Sequence, residues 1–346
     1  MTGSAIVALK PLPVEHRVGL DRILGQRPDI EAFAGRMVAQ GLRNVFMVGS
    51  GGGLITFGPL QYDLERGTAR FPAFAISANE FIYRHPAALG PGSLVLVASN
   101  TGTTPEVVAA AHFAREHGAT VASSTRHADS ALAAASDVTW AYEDDRGVGD
   151  PKHLAFAILG LALLREAGDL SAEDHTARMG ALEALPDAML AAVRSSEERT
   201  HAIAAALRDE PIIYVLGSGP NHATAYCLAM CYLQEMQWMH AASFDAAEFL
   251  HGAMEVVVDD VPVIQFLGEE ATRPIDERAK AFLLKNTTNA HFIDARDLDL
   301  PGIDAALRPF ASPYALSAVM SRLAQQFEAA TGHALEIRRY MFKVEY

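Results

Sequence analysis

Cysteine is scarce in this chain: Cys227 and Cys231 are the two in 346 residues. That count excludes a disulfide framework. Their spacing of four on one helix-like segment suits two metal-binding thiolates in principle, but small side chains buried on a helix are the plainer reading. Long apolar runs are missing as well. No stretch reaches the ~18 residues of a membrane span, and Met1 to Pro13 lacks the apolar core of a signal peptide. Positive charge is in deficit, 28 Lys+Arg against 42 Asp+Glu, for a net −14. A duplex-binding protein needs a basic face, so nucleic acid is disfavoured as a partner. Two nucleotide signatures are absent too. There is no G-x-x-x-x-G-K-[ST], and Gly49 to Gly53 fit G-x-G-x-x-G poorly, with no acidic residue ending a strand about 20 residues on. The absences together predict a cytoplasmic enzyme that needs neither membrane nor nucleic acid, with no metal.

Half of the residues are hydrophobic, enough for one or two full cores, and the length suits about two domains. Two glycine-rich turns stand half a chain apart, each closing an apolar strand and opening a helix-like run: Val45-Phe46-Met47-Val48-Gly49-Ser50-Gly51-Gly52-Gly53 and Ile212-Ile213-Tyr214-Val215-Leu216-Gly217-Ser218-Gly219. The pair suggests a duplicated anion-binding half, since such turns bring backbone N–H groups to a helix N-terminus. Strand-like runs alternate with helix-like runs in both halves, which predicts βαβ units and parallel sheets. In the first half the strands read as Val45–Val48, Phe74–Ile76, Leu94–Ala98, Thr120–Ala122 and Val138–Tyr142. In the second they read as Ile212–Leu216, Val263–Leu267 and His291–Ile293. Leu94 to Val97 and Val261 to Ile264 lack polar alternation, as strands buried on both faces do. The division expected is a lead-in over 1–44, a first domain over 45–170, a helical connection over 171–209 and a second domain over 210–346. No flexible linker stands out, so the halves are expected to pack as one body.

Ser99-Asn100-Thr101-Gly102-Thr103-Thr104-Pro105 follows the buried strand Leu94–Ala98 directly. Hydroxyls and free N–H groups around a glycine at a helix start make a phosphate cradle. An ordinary Ser/Thr cap is the alternative, but a cap needs one hydroxyl and not four.

At these residues the chain resembles the double SIS (sugar isomerase) domain proteins, which bind phosphosugars, over roughly residues 20 to 346. Within that group it looks most similar to the fructosamine 6-phosphate deglycases and next to the isomerase half of glucosamine-6-phosphate synthase. The finer likeness lies in Glu248-Phe249-Leu250-His251-Gly252, in Phe266 to Arg278, and in the tail Arg338-Arg339-Tyr340-Met341-Phe342-Lys343-Val344-Glu345-Tyr346. The resemblance implies two tandem doubly wound, flavodoxin-like α/β subdomains related by duplication, a homodimer with shared active sites, and no cofactor. It implies that Glu235, which precedes His251 at the family's interval, is the base that moves the C1/C2 proton. His251 would be the acid–base group for ring opening, often supplied by the other subunit. His240 falls at a family histidine position, and Lys343 resembles the tail lysine that closes over the sugar. Ser99, Asn100, Thr101 and Thr104 match the phosphate loop, joined by Ser50 and Gly51 of the first turn. One position departs: Gly53 stands where the family usually has a phosphate-binding serine.

The residues themselves agree with parts of this. Met230, Leu233, Met236, Trp238 and Met239 surround Glu235 in sequence, and burial among them would raise a carboxyl pKa toward that of a useful base. Glu248 is placed to orient His251, whose imidazole suits proton exchange near neutral pH; the plain alternative is a histidine at a helix end. Lys152 either reaches the sugar from the first half or is a surface lysine at a helix start. The substrate expected is a small phosphosugar, and the reaction a deglycation of a fructosamine 6-phosphate. A phosphosugar isomerase or deaminase on the same residues is the alternative, and a non-catalytic phosphosugar sensor a further one. A DNA-binding regulator or a glutaminase-coupled synthase is not expected, because neither extra domain is legible.

Overall fold

The computed structural model describes residues 8–144, 146–341 and 343–345; Met1–Val7, Asp145, Phe342 and Tyr346 lie outside the described residues. The chain divides into two compact units, Pro13–Pro186 and Met1–Leu12 with Asp187–Tyr346.

In the first unit, α1 (Val18–Gly25) and α2 (Arg27–Ala39) lead into β1 (Asn44–Gly49). There follow α3 (Gly52–Ile55), α4 (Gly58–Gly67), β2 (Ala73–Ser77), α5 (Ala78–Arg84), β3 (Ser93–Ala98), α6 (Pro105–Glu116), β4 (Thr120–Thr125), α7 (Ala131–Ala135), β5 (Val138–Ala141) and α8 (Pro151–Glu166). All neighbouring strands are parallel, in the order β2-β1-β3-β4-β5. This is the flavodoxin-like order, whose switch point lies between β1 and β3. Every residue of β1 and β3 is buried, as the unbroken apolar runs require of strands covered on both faces. Phe46, Val48, Val95, Val97 and Val121 share one face with Phe81, Val107 and Leu132 from the covering helices. Each such side chain removed from water contributes about 1.5–3 kcal/mol.

The boundary between units falls within α9 (Ala172–Ser195), after Pro186. The second unit continues with α10 (Glu197–Leu207), β6 (Ile213–Gly217), α11 (Pro220–Tyr226), a π-helix over Cys227–Met236, β7 (Ala241–Asp245), α12 (Ala246–Phe249), β8 (Val263–Leu267), α13 (Arg273–Asn286), β9 (Ala290–Asp294) and α14 (Arg308–Thr331). Its sheet is again parallel, ordered β7-β6-β8-β9, the first sheet's order without the fifth strand. The duplication reaches the backbone torsions. Gly51 (φ 49°, ψ −124°) and Gly219 (φ 50°, ψ −130°) hold the same glycine-favouring conformation at the starts of α3 and α11. The fold is therefore two tandem doubly wound α/β modules.

The sequence pattern missed β7. Ala241-Ala242-Ser243-Phe244-Asp245 has no β-branched residue, and as an edge strand it is half exposed, so neither propensity nor alternation marks it. After β6 the helix begins with Pro220 in its first turn and turns into the π-helix at Cys227. Cys227 and Cys231 are both buried there, and neither is in a disulfide.

Candidate active site

β3 delivers Ser99 to its carboxyl end, and Pro105 opens α6 with no N–H to satisfy. Ser99 Oγ and Thr104 Oγ1 are 2.9 Å apart, and Ser99 Oγ also accepts from Gly102 N at 3.1 Å. Thr101 Oγ1 lies 2.8 Å from Thr103 Oγ1. Thr104 is the N-cap of α6, yet its side chain caps nothing. Its hydroxyl is turned inward to the loop, so the loop is more than a helix cap. Among the described residues no acceptor meets the N–H of Asn100 or Thr101. Asn100 is fixed from behind: its carbonyl accepts from Arg126 N at 3.0 Å, and Tyr142 Oη donates to its Oδ1. Ser50 and Gly51 follow β1 at the same edge of the sheet. The Ser50 hydroxyl has no partner among the described residues. The sequence-expected phosphate residues Ser50, Gly51, Ser99, Asn100, Thr101 and Thr104 thus all lie at the carboxyl ends of β1 and β3.

Gly53 has a packing explanation. A Cβ there would sit 2.3 Å from the carbonyl oxygen of Ala98, the last residue of β3. The first turn presses against β3 too closely for the serine that the resemblance would place there. Lys152 is no surface lysine. It is 5% exposed, its Nζ lies 2.8 Å from Asp150 Oδ2, and it stands 5.5 Å from the Tyr142 ring centroid. Burial works against its charge, but Asp150 and Tyr142 outweigh that and hold its pKa above the usual lysine value. Asp150 also caps α8 through Lys152 N at 2.9 Å. Lys152, Tyr142 and Asn100 therefore form a line from the start of α8 into the Ser99–Thr104 loop.

In the second unit Glu235 ends the π-helix and is half-buried. Desolvation raises its carboxyl pKa, although Arg338 acts in the opposite sense. Arg338 Nε donates to Glu235 Oε1 at 2.8 Å, and Oε2 receives no hydrogen bond from the described residues. The C-terminal tail lies beside this group. Gln237 Nε2 donates to His333 O at 2.7 Å, and Leu335 N to Glu328 Oε1 at 2.9 Å. Trp238 takes φ +57°, an outlier for a bulky residue. Its ring lies 4.3 Å from that of His333 and 4.4 Å from the Arg339 guanidinium. Lys343 Nζ donates to the Arg338 carbonyl, so Lys343 and Glu235 meet the same arginine. His240 is exposed, immediately before β7. His251 is exposed beyond the other end of β7 and α12, and its ring has no partner among the described residues. It meets Glu248 through the backbone, His251 N to Glu248 O at 2.9 Å; the orienting side-chain bond expected from Glu248 is not made. Within this unit Glu235, Lys343 and the tail come together, whereas no hydrogen bond or ion pair among the described residues joins Glu235 to His251.

The counterpart of the phosphate loop in this unit, Gly268 to Thr272 after β8, is occupied by the chain itself. Glu270 accepts from Asn221 Nδ2 at 3.0 Å and from Ser312 Oγ at 3.2 Å, and burial raises its pKa to about 7. Ser218, the twin of Ser50, is fully buried and donates to Thr272 O. Arg273 clasps Asp294 with two bonds of 2.8 and 2.7 Å and the Gly268 carbonyl at 2.7 Å. The Thr272-Arg273-Pro274 stretch is thereby a structural clasp of β8 to β9. Sequence reasoning assigned no role to Arg338, Tyr142 or Asp150. No spacing rule joins residues 103 apart, such as Glu235 and Arg338.

A hydroxyl-rich loop at one switch point, its twin filled by Glu270, and a half-buried glutamate held by Arg338 fit the class of phosphosugar-handling double α/β proteins. The SIS domain model matches residues 44–157, and the chain belongs to the double SIS-domain family of phosphosugar isomerases and deglycases. Fructosamine deglycase FrlB of Bacillus subtilis is 33% identical over 322 residues, covering 92% of this chain and 97% of that protein. Fructoselysine 6-phosphate deglycase of Escherichia coli is 27% identical, covering 90% and 89%. A solved Bacillus subtilis structure assigned to the phosphosugar isomerases superposes with a TM-score of 0.86 at 31% identity, covering 94% and 99%. The C-terminal domain of glucosamine-fructose-6-phosphate aminotransferase from Francisella tularensis shares the fold at a TM-score of 0.78 and 16% identity, covering 93% and 94%.

Proposed function

We propose that this chain is a deglycase that cleaves a fructosamine 6-phosphate to glucose 6-phosphate and a free amine. The observation that carries the reading is Glu235, a half-buried carboxylate with a raised pKa and one oxygen left open. A base of this kind removes the C1 proton of the open-chain ketoamine and returns it to C2. The enaminol becomes a Schiff base at C1, and water then releases the amine and the aldose phosphate. The Ser99–Thr104 loop, with Ser50 and Gly51, holds the phosphate through hydroxyls and N–H groups at the α6 N-terminus. Lys152 and Tyr142 keep Asn100 in place behind it.

His251 serves ring opening, moving a proton to the ring oxygen. Its exposure, and the absence of a side-chain partner, suit a residue that completes a site on a second copy of this chain. Lys343 and His240 flank the Glu235 end of the second module. The chemistry calls for no cofactor, and two cysteines outside any disulfide suit the cytoplasm.

The same proton shuttle would serve an aldose–ketose isomerase, and the two activities are separated by product. Purified protein given fructoselysine 6-phosphate should release lysine and glucose 6-phosphate. Glu235→Gln should bind the substrate with turnover lowered by a factor of about 10²–10⁴, the range for loss of a general base. Isomerised sugar without free amine, or a Glu235→Gln enzyme that still turns over, overturns the assignment.

A further inference from the structure

Arg338 lies outside every role derived so far, yet among the described residues it makes the one side-chain hydrogen bond that the proposed base has. Its Nε donates to Glu235 Oε1 at 2.8 Å, with side chains 15% and 24% exposed. The arginine is itself held, since one terminal nitrogen donates to the carbonyls of Leu335 and Ile337. The segment carrying it is pinned on both sides, by Glu336 to Lys10 at 2.7 Å before it and by Arg339 over Trp238 after it. The strained backbone at Trp238 and the π-helix ending at Met236 flank the same carboxylate, and both irregularities concentrate at functional positions.

We propose that Arg338 is a positioning residue for Glu235: it pins Oε1, leaves Oε2 as the proton acceptor, and so makes the docked tail part of the base. This rests on the reading of Glu235 given above. A guanidinium beside a carboxylate favours the ionised form, so Arg338 opposes the desolvation that the π-helix end imposes. It also makes the protonated state short-lived. A neutral Glu235 removes the carboxylate that Arg338 touches and leaves it only the more distant charge of Glu336, which favours passing the proton onward to C2. Of the other charged groups on the tail, only Glu336 acts on Arg338, at longer range. Arg339 covers Trp238, Lys343 donates to the Arg338 carbonyl, and Glu328 and Glu336 pair with Lys10.

The test compares wild type, Arg338→Met, Arg338→Lys and Arg339→Met, each checked for folding by thermal melting and Trp fluorescence. Two readouts are taken: the titration midpoint of Glu235 by carboxyl carbon NMR, assigned by difference against Glu235→Gln, and kcat/KM for fructoselysine 6-phosphate against pH. In Arg338→Met the midpoint and the acid limb should both move up by about 1–3 pH units, as expected for removing a charge within contact. Arg338→Lys should recover most of the shift. Arg339→Met, which loosens the tail but keeps the pair, should leave both near wild type. If Arg338→Met does not fold, a wild-type midpoint in a folded Arg338→Gln overturns the proposal equally. An unmoved midpoint in Arg338→Met, or an equal shift in Arg339→Met, sinks it. The NMR arm needs no substrate. An active Glu235→Gln therefore refutes the base reading alone, whereas a wild-type midpoint beside an inactive Glu235→Gln refutes only the role of Arg338.

Discussion

Gly53 shows how a single position can mislead when read from sequence alone. Set against the family's usual serine it looks like a lost phosphate donor. In the structure the Ala98 carbonyl stands where a side chain would begin, at 2.3 Å, so the glycine is what lets the first turn lie against β3. Restoring the serine should therefore harm rather than help. Gly53→Ser is expected to destabilise by about 1–3 kcal/mol, the usual range for overpacking a tight site, and to weaken phosphate affinity. Thermal denaturation and inhibition by inorganic phosphate would check this; tighter phosphate binding without loss of stability would contradict it. Glu235 makes the opposite case. Its apolar sequence neighbours predict a raised pKa, and burial does raise it. The arginine that moderates the shift comes from residue 338 and leaves no mark near residue 235.

The elements repeat between the modules but their carboxyl-edge loops diverge. After β3 the loop carries hydroxyls and open N–H groups, whereas after β8 it carries Glu270, which sits between Asn221 and Ser312 as a built-in anion. That carboxyl binds its proton more tightly folded than unfolded, with a pKa near 7 against 4.5. Its contribution to stability is therefore fully present below about pH 4.5 and is lost as the pH rises through about 7. Asp276, also pushed up to about 7 by burial, adds in the same direction. A Glu270→Gln variant stays neutral, and the unpartnered Asn221 Oδ1 can turn to accept from its amide. It should exceed wild type in stability at pH 8 by on the order of 1–3 kcal/mol, with most of that gain gone at pH 5. Denaturant midpoints at the two pH values decide, and equal gains at both would refute the account. The twin glycine turns were legible as twins. The hydroxyls after β3 marked the first twin as the expected phosphate side, but the plug on the second was not legible, because it depends on Asn221 and Ser312, distant in sequence from Glu270.

At the scale of the whole molecule, the chain matches nearly the full length of a fructosamine deglycase. Along the chain Glu235 precedes β7 and His251 follows it, and no hydrogen bond or ion pair among the described residues joins them. If the site is shared between two copies, mixing inactive Glu235→Gln and His251→Asn proteins should restore activity. Half of randomly reassembled dimers are mixed, and each would carry one intact site of two, giving about a quarter of wild-type turnover. Activity that stays at the level of the separate variants would show that no such sharing occurs.

The sequence by itself determined the alternation of strands and helices, the buried strands β3 and β8, the twin turns and the hydroxyl loop. Each is written in contiguous residues, where hydrophobic period and turn chemistry act locally. Tertiary structure alone decided the rest. Edge strand β7 forms because β6 offers it hydrogen bonds, not because its residues prefer extension. Gly53 is required by a neighbouring strand, Lys152 is buried by its partners, one cradle is filled by Glu270, and Glu235 is held by an arginine 103 residues away. Burial and charge pairing are set by distance in space, and no local pattern in the chain encodes that distance.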